Sequence, residues 1–589
     1  MDIRGEYFSL LRQWCDELIR LQLHGTGRPE LDGTIICPAC QIIHGRCHDA
    51  VYPLMYLADV TGDTKYLDAA KKLFDWAGSL ITDDGGFYND AQSPWQGITV
   101  FSANNLCHAL KYHSHLLNAE EKSRWEARLS GLGEWLYTNL IPEYDAVINY
   151  DANCAGAMAL LGEYFDSDKY RERARFMAHY AARFFSENGL LTGEGKPRGA
   201  VTPRGCMAID IGYNVEESLA ALLRYARIQN DEEIKQKTIA AMRAHLEFMM
   251  PDGGWDNSMG TRNFKWSYWG SRTSDGCQVG YAALGAEIPE FAEAAYRNLL
   301  MYKKCSHGGL MYGGPHYMSH GEKACTHHSF CHAAALAAAL DSGVAEFERT
   351  AIPADNAPAI RYWPELDTWK LAAGDFRATV TGYDFEYMEG GHVSGGVMSM
   401  LWHKKTGPVL ATGMSDYALK EPTNMQMSLK KSASACLAAR VDMNIGGRLY
   451  SQMYDYGSDI TAKENECGVQ VDVSAVPVDI DHCAPAKRTA CQLKYDIQPD
   501  SVSIVGWVSP CGVEYAEFVL PVLLEDCEKY DVIDDNTLLL HREGADVRVE
   551  HSGMKSAPRR IFNFSGGFSA LELRLSPDSE GCFGASIII

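Results

Sequence analysis

Asp252-Gly253-Gly254-Trp255 stands between one helical apolar pattern at 232–250 and another that begins at 275. Paired glycines interrupt a helix, and glycine is the residue that accepts the left-handed backbone of a tight turn. The same kind of turn recurs along the chain as Leu31-Asp32-Gly33, Asp84-Gly85-Gly86-Phe87, Asn188-Gly189-Leu190 and His307-Gly308-Gly309-Leu310. Glu143-Tyr144-Asp145 fills the remaining slot without a glycine. Successive turns are roughly 45 to 65 residues apart, the length of one helical hairpin with its loops.

Around these turns, apolar residues at i, i+3 and i+4 mark helices at 7–23, 49–60, 66–80, 98–117, 120–140 and 153–165. The pattern continues at 170–185, 215–228, 232–250, 275–284, 289–302 and 327–340. Twelve helices make six pairs, and six pairs close into an (α/α)6 toroid; an open helical solenoid is the alternative. Charged stretches such as 169–175 and 232–237 suit outer, solvent-facing helices. In a closed toroid each loop after an outer helix enters the N-terminus of an inner one. All six loops therefore converge on one face.

After Asp341 the pattern changes. Pro353, Pro358 and Pro364 indicate a linker, and beyond it period-two alternation appears at 369–373, 376–381, 397–402, 469–473, 501–508, 547–550 and 585–589. The expected organisation is a helical toroid at 1–345, a linker at 346–364 and an antiparallel β-sandwich at 365–589.

The 589 residues carry a formal charge of −23, which argues against a nucleic-acid partner. No apolar run reaches the roughly 18 residues of a membrane span. The opening residues lack the pattern of a signal peptide, so a cytoplasmic protein is expected. Its 18 cysteines then read as reduced thiols. Cys37, Cys40, His44 and Cys47 lie within eleven residues and could close a tetrahedral structural zinc site. A packed, metal-free loop is the competing reading, and no other cofactor is expected.

The convergent loops concentrate polar and aromatic residues. They hold His44, Arg46, His48 and Asp49; Trp95, Asn104, Asn105 and His108; and Asn149, Tyr150, Asp151 and Asn153. They continue with Arg204, Asp210, Tyr213, Asn214, Glu216 and Glu217; Trp266, Tyr268, Trp269 and Arg272; and His316, Tyr317, His320, His327 and His328. Capping explains Asn, Asp and Ser at helix starts. It does not explain the Tyr, His and Trp.

A toroid of this length followed by a β-sandwich resembles the toroid-plus-sandwich polysaccharide lyases of the heparinase II/III-like group. The resemblance implies β-elimination at a uronic acid in an oligo- or polysaccharide. There an Asn with His or Arg neutralises the carboxylate, and a Tyr or His removes the C5 proton. Carried over, Asn105 with His108 matches the neutraliser, and Tyr268 beside Arg272 matches the base, with His316 as its substitute. His392, in Gly390-Gly391-His392-Val393-Ser394-Gly395-Gly396, is the expected donation from the sandwich. Arg46, Trp95, Tyr150, Trp269 and Tyr317 are the expected substrate contacts. Two other readings remain. A glycoside hydrolase would pair two carboxylates from Asp49, Asp151, Asp210, Glu216, Asp256 and Asp275. A non-catalytic carbohydrate-binding protein would need aromatic platforms more than bases.

Overall fold

The computed structural model describes residues 2–89, 94–144, 146–269, 276–414, 434–509 and 515–589. Its first part is built from helical pairs. Outer helices α1 (Ile3–Leu21), α3 (Thr64–Ala77), α5 (Ala119–Asn139), α7 (Asp168–Ala181), α10 (Glu232–Leu246) and α12 (Pro289–Lys304) alternate with inner ones. The inner helices are α2 (Val51–Thr61), α4 (Thr99–His113), α6 (Ile148–Tyr164), α11 (Gln278–Tyr281) and α13 (Thr326–Ser342). The fourth inner position is broken into α8 (Ile211–Tyr213), a π turn at Asn214–Ser218 and α9 (Leu219–Gln229). The inner helices pack in cyclic order, α2 on α4, then α6, α9, α11 and α13, and α13 returns to α2. This closes the ring and excludes the solenoid.

The repeated glycine turns explain why it closes. Gly33, Gly85, Gly189, Gly253 and Gly309 all have φ between 85° and 94°, inside the left-handed region that only glycine enters freely. Each presses against the outer helix of the following pair. A Cβ on Gly33 would lie 2.7 Å from the Lys72 carbonyl oxygen, and one on Gly253 would lie 2.3 Å from that of Arg297. Gly85 meets Gly131 in the same way, Gly189 meets Ala244, and Gly309 meets Glu17 of α1, the first helix. The slot without glycine is held by Arg198, which donates to the carbonyls of Pro142 and Tyr144.

The β region begins at Ile360–Trp363, inside the segment read as linker. Pro358 and Pro364 flank that short strand and mask it in the sequence. It opens a five-stranded meander that ends at Ala411. An eight-stranded and a second five-stranded sheet complete the region, and every sheet pairing is antiparallel. Leu371 and Phe376 of the first sheet, Val471 and Leu493 of the second and Val441 and Phe518 of the third share one core. Among the described residues no helix is long and apolar enough to cross a membrane.

The two regions meet along 252–269, where almost every residue is buried. Asp252 accepts from Trp402 Nε1 at 2.9 Å, Ser258 and Ser399 join hydroxyls at 2.7 Å, and Asn263 donates to the Thr412 carbonyl at 3.1 Å. At the opposite end of the ring from the convergent loops, His113 bridges three inner helices. Its Nδ1 lies 2.9 Å from Asp59 of α2, and its Nε2 lies 3.1 Å from Asp341 of α13. Burial disfavours its charged form, but the two carboxylates outweigh burial and raise its proton affinity above that of an ordinary histidine. A raised folded pKa gives stability that is complete below the unfolded value, about 6.5, and is lost as pH rises through the folded value. His113→Gln is therefore expected to cost about 2 kcal/mol at pH 5.5 to 6. Denaturant melts from pH 5.5 to 9 should show that gap narrowing; a gap constant with pH would exclude a charged His113.

Candidate active site

The N-terminal ends of the inner helices form the mouth of the ring on the side that faces the β region. Arg46 precedes α2. Its Nε donates to Asp49 at 2.9 Å, and its guanidinium lies 4.3 Å over the ring of Phe101. Trp95, before α4, donates from Nε1 to the Tyr150 hydroxyl at 3.0 Å. Burial and the Glu217 carboxylate push the Tyr150 hydroxyl well up, so it stays protonated. These three expected substrate contacts are thus brought together. A cavity along the ring axis, lined by Arg46, Asn105, His108, Asn153, Glu217 and Arg224, runs inward from them.

At the fourth inner position Asp210 caps the helix, accepting the Tyr213 N–H at 3.0 Å. Its other oxygen accepts from Trp266 Nε1 at 3.2 Å and Asn257 Nδ2 at 3.3 Å. The π turn follows immediately, a departure from regular helix that is frequent at functional sites. Over the ring of Tyr213 lies the guanidinium of Arg262, 4.6 Å from its centroid, with Lys265 Nζ at 5.4 Å. Tyr387, from the β region, lies on the other side of Arg262 at 5.3 Å. Arg262 Nη1 donates to Glu194 at 2.6 Å, and the second oxygen of Glu194 accepts the Asn149 N–H at 2.8 Å. Burial alone would strip the charge from Arg262, but Glu194, backed by Tyr387 and Asp210, holds its proton more tightly than usual. Asn149 keeps a buried amide oxygen with no hydrogen-bond partner among the described residues. The arrangement is a phenol beneath two cations, one of them tied through Glu194 to the backbone at Asn149.

The other expected residues sit in packed surroundings. Tyr268 is fully buried, packs on the backbone of Gly254 and on Phe568, and sits by Asp252. Burial and that carboxylate push its hydroxyl well above the ordinary range, so it is a poor base. Arg272, chosen to activate it, and Asp275 lie outside the described residues. His316 accepts the Ser569 N–H on Nδ1 at 3.0 Å, and burial lowers its pKa to about 3. It stands beside the contact of Gly314 with Gly567, where backbone meets backbone. Trp269 donates to the Tyr312 carbonyl at 3.3 Å, and Tyr317 to that of Phe564 at 2.6 Å. Both polar ends are thus engaged by backbone carbonyls. His392 has Nε2 3.1 Å from the Tyr383 carbonyl oxygen and stacks on Tyr456; burial lowers its pKa to about 4. Its flanking glycines serve close backbone approach, since a Cβ on Gly395 would overlap the Gln452 carbonyl.

Asn105 and His108 do share the axial cavity. His108 is stacked between Tyr52 and Tyr112, and burial, with Arg224 and Lys111, pushes its pKa well below that of an ordinary histidine. It is a neutral imidazole and brings no charge to a carboxylate. The cysteine cluster also differs from expectation. Cys37, Cys40 and His44 come together with Cys325, whereas Cys47, in the 3-10 turn at Gly45–Ala50, packs into the helical core. Tyr213 and Asn149 stand in the rim loops of the sequence with nothing there to single them out. Arg262, Lys265 and Glu194 carried no signal beyond being charged residues in loops.

The family model for the ulvan lyase N-terminal domain matches residues 11–355, and that for the C-terminal domain matches 360–588. A broad-specificity ulvan lyase from Formosa agariphila is 34% identical over 588 residues, covering 96% of this chain and 91% of that protein. In fold, a chondroitin AC lyase from Streptomyces coelicolor superposes with a TM-score of 0.52 at 13% identity, over 99% of this chain and 82% of that one. A heparinase III gives 0.50 at 10% identity, over 98% and 83%. With both regions matched in order and nearly the whole length aligned, the chain is a polysaccharide lyase and belongs to the ulvan lyase family.

Proposed function

We propose that the chain cleaves a uronic-acid-containing polysaccharide of the ulvan type by β-elimination, with Tyr213 as the proton-transferring group. The observation that carries this reading is the guanidinium of Arg262, anchored by Glu194 and laid over the Tyr213 ring beside Lys265. Elimination removes the proton at C5, forms the C4–C5 double bond and breaks the bond from C4 to the leaving oxygen, which takes up a proton. No water is consumed. The hard step is the first, because negative charge spreads onto the carboxylate as C5 loses its proton. Arg262 and Lys265 supply fixed positive charge for that enolate. The Tyr213 oxygen takes the C5 proton and returns one to the leaving oxygen. Arg46, Trp95 and Tyr150 hold the neighbouring sugar.

The hydrolase alternative loses ground because three of its candidate carboxylates are ion-paired and a fourth caps a helix. Asp49 is held by Arg46, Asp151 by Arg198, and Asp256 by Lys370, Thr379 and Ser258. Asp210 serves as the helix cap.

Tyr213→Phe keeps the ring under Arg262 and deletes only the hydroxyl. Turnover of ulvan, followed by the ultraviolet absorbance of the unsaturated product, should fall by at least about 10²-fold with KM little changed. Tyr268→Phe should keep turnover near that of the unaltered enzyme. The opposite ranking of these two variants would return the base to Tyr268. Products that take up oxygen from labelled water and do not absorb would reject elimination itself.

Glu194→Gln preserves shape but removes the charge that anchors Arg262. Breaking a fully buried ion pair from one side costs about 3–5 kcal/mol. The variant should therefore melt earlier and lose turnover together. Full activity with an unchanged melting curve would show that Arg262 is positioned by its other neighbours.

A further inference from the structure

We propose that Cys37, Cys40, His44 and Cys325 bind one zinc ion, which fastens the seam of the helical ring. The four side chains are fully or almost fully buried, and one ligand atom from each lies within 4.8 Å of all the others. The separations carry more information than the proximity. A tetrahedral zinc with Zn–S of about 2.3 Å and Zn–N of about 2.05 Å requires S···S edges near 3.8 Å and S···N edges near 3.6 Å. Cys40 Sγ lies 3.6 Å from Cys325 Sγ, and Cys325 Sγ lies 3.5 Å from His44 Nε2. A disulfide would bring two of the sulfurs to about 2.05 Å and leave the third thiol and the imidazole without a purpose.

The loop is shaped for a metal. Cys37 donates its N–H to the Ile42 carbonyl at 2.9 Å, and Gln41 donates back to Cys37 at 3.0 Å. Gln41 itself has φ of 58°, an uncommon conformation for a residue with a side chain. That tight knuckle aims the Cys40 N–H at the Cys37 sulfur at 3.4 Å, the kind of backbone donation that favours a ligating thiolate. Cys325 comes from a different place, the N-cap of α13.

The two halves of the site are 281 to 288 residues apart in sequence, and they join the loop that leads into α2 to the start of α13. These are the first and last inner helices, so the metal would lock the ring where its two ends meet. His44 is two residues from Arg46, and the clasp would fix that arginine at the cavity mouth. Four protein ligands leave no open position for water or substrate, so the ion is structural and His44 takes no part in proton transfer.

The test is metal content of the intact chain, purified from zinc-supplemented medium without chelator. Elemental analysis should give one zinc per chain, unchanged in Cys47→Ser and lost in Cys40→Ser and Cys325→Ser. Replacement by cobalt(II) should give the intense visible absorption and the thiolate charge-transfer bands of a tetrahedral sulfur-rich site. Chelation under mild heating should lower the melting temperature. Should the serine variants fail to fold, Cys325→His retains a ligand and should still bind one metal with an altered cobalt spectrum. The proposal is overturned by protein that is metal-free as purified and takes up neither ion after reduction. It is also overturned by a Cys40–Cys325 disulfide found by peptide mapping, or by zinc that persists in Cys325→Ser.

Discussion

The helical region depends on one recurring approach, a left-handed glycine in five of the six turns seated against the next outer helix, at Gly33, Gly85 and Gly253 directly against its backbone. A methyl group at Gly253 would stand 2.3 Å from a carbonyl oxygen, so no other residue fits without pushing the neighbouring pair away. The contact is directional. Each turn reaches forward to the following pair, and the last, at Gly309, reaches the first helix. Five such contacts, the last of them that return, together with the Arg198 bonds at the sixth slot, define a ring and exclude an open spiral. Because each turn is also the entry to an inner helix, the constraint that closes the ring sets the positions of the six convergent loops.

The β region then decides which of those loops become a site. It covers 252–269 and the loop before α13, where Asp252, Ser258, Asn263 and His316 hydrogen-bond across the junction. Residues under that cover are packed, and their titrations follow burial. Residues at its edge meet Tyr387 and the ring mouth together. Tyr268 and Tyr213 illustrate the difference: they are phenols on neighbouring segments, one sealed beside a carboxylate and the other lying beneath a guanidinium.

The ring of helical pairs and the change to strands were legible because each rests on local signals of apolar period and glycine position. The first strand, 360–363, was not legible, being four residues between prolines. The site was half legible. Arg46, Trp95 and Tyr150 assemble as their places in the loops suggest, since helix N-termini of one ring must converge. In sequence Tyr268 stands near Arg272, whereas the cation that lies over Tyr213 comes from Arg262, forty-nine residues further on. Pairing of that kind is set by how the 252–269 segment folds back under the β region. Cys325 was missed for the same reason. Cys47 is nearer to the cluster in sequence, but the 3-10 turn after His44 carries it into the core.

A formal charge of −23 looks hostile to an anionic substrate, but range decides the matter. Charges separated by more than about 8–10 Å of salt solution scarcely interact. What a sugar carboxylate meets at the mouth is therefore local: Arg46, Arg262, Lys265 and Arg198 within the same set of loops. Most of the acidic groups there are already committed, Asp49 and Asp151 to arginines and Glu194 to Arg262. These acids do not cancel the site. Arginine carries its charge on a long, rotatable stem, and a buried carboxylate fixes where that charge sits at the cost of part of its field. For the proposed elimination this is a favourable exchange. A cation held in place before the proton leaves needs no reorganisation when the enolate forms, and that preorganisation is what lowers the barrier.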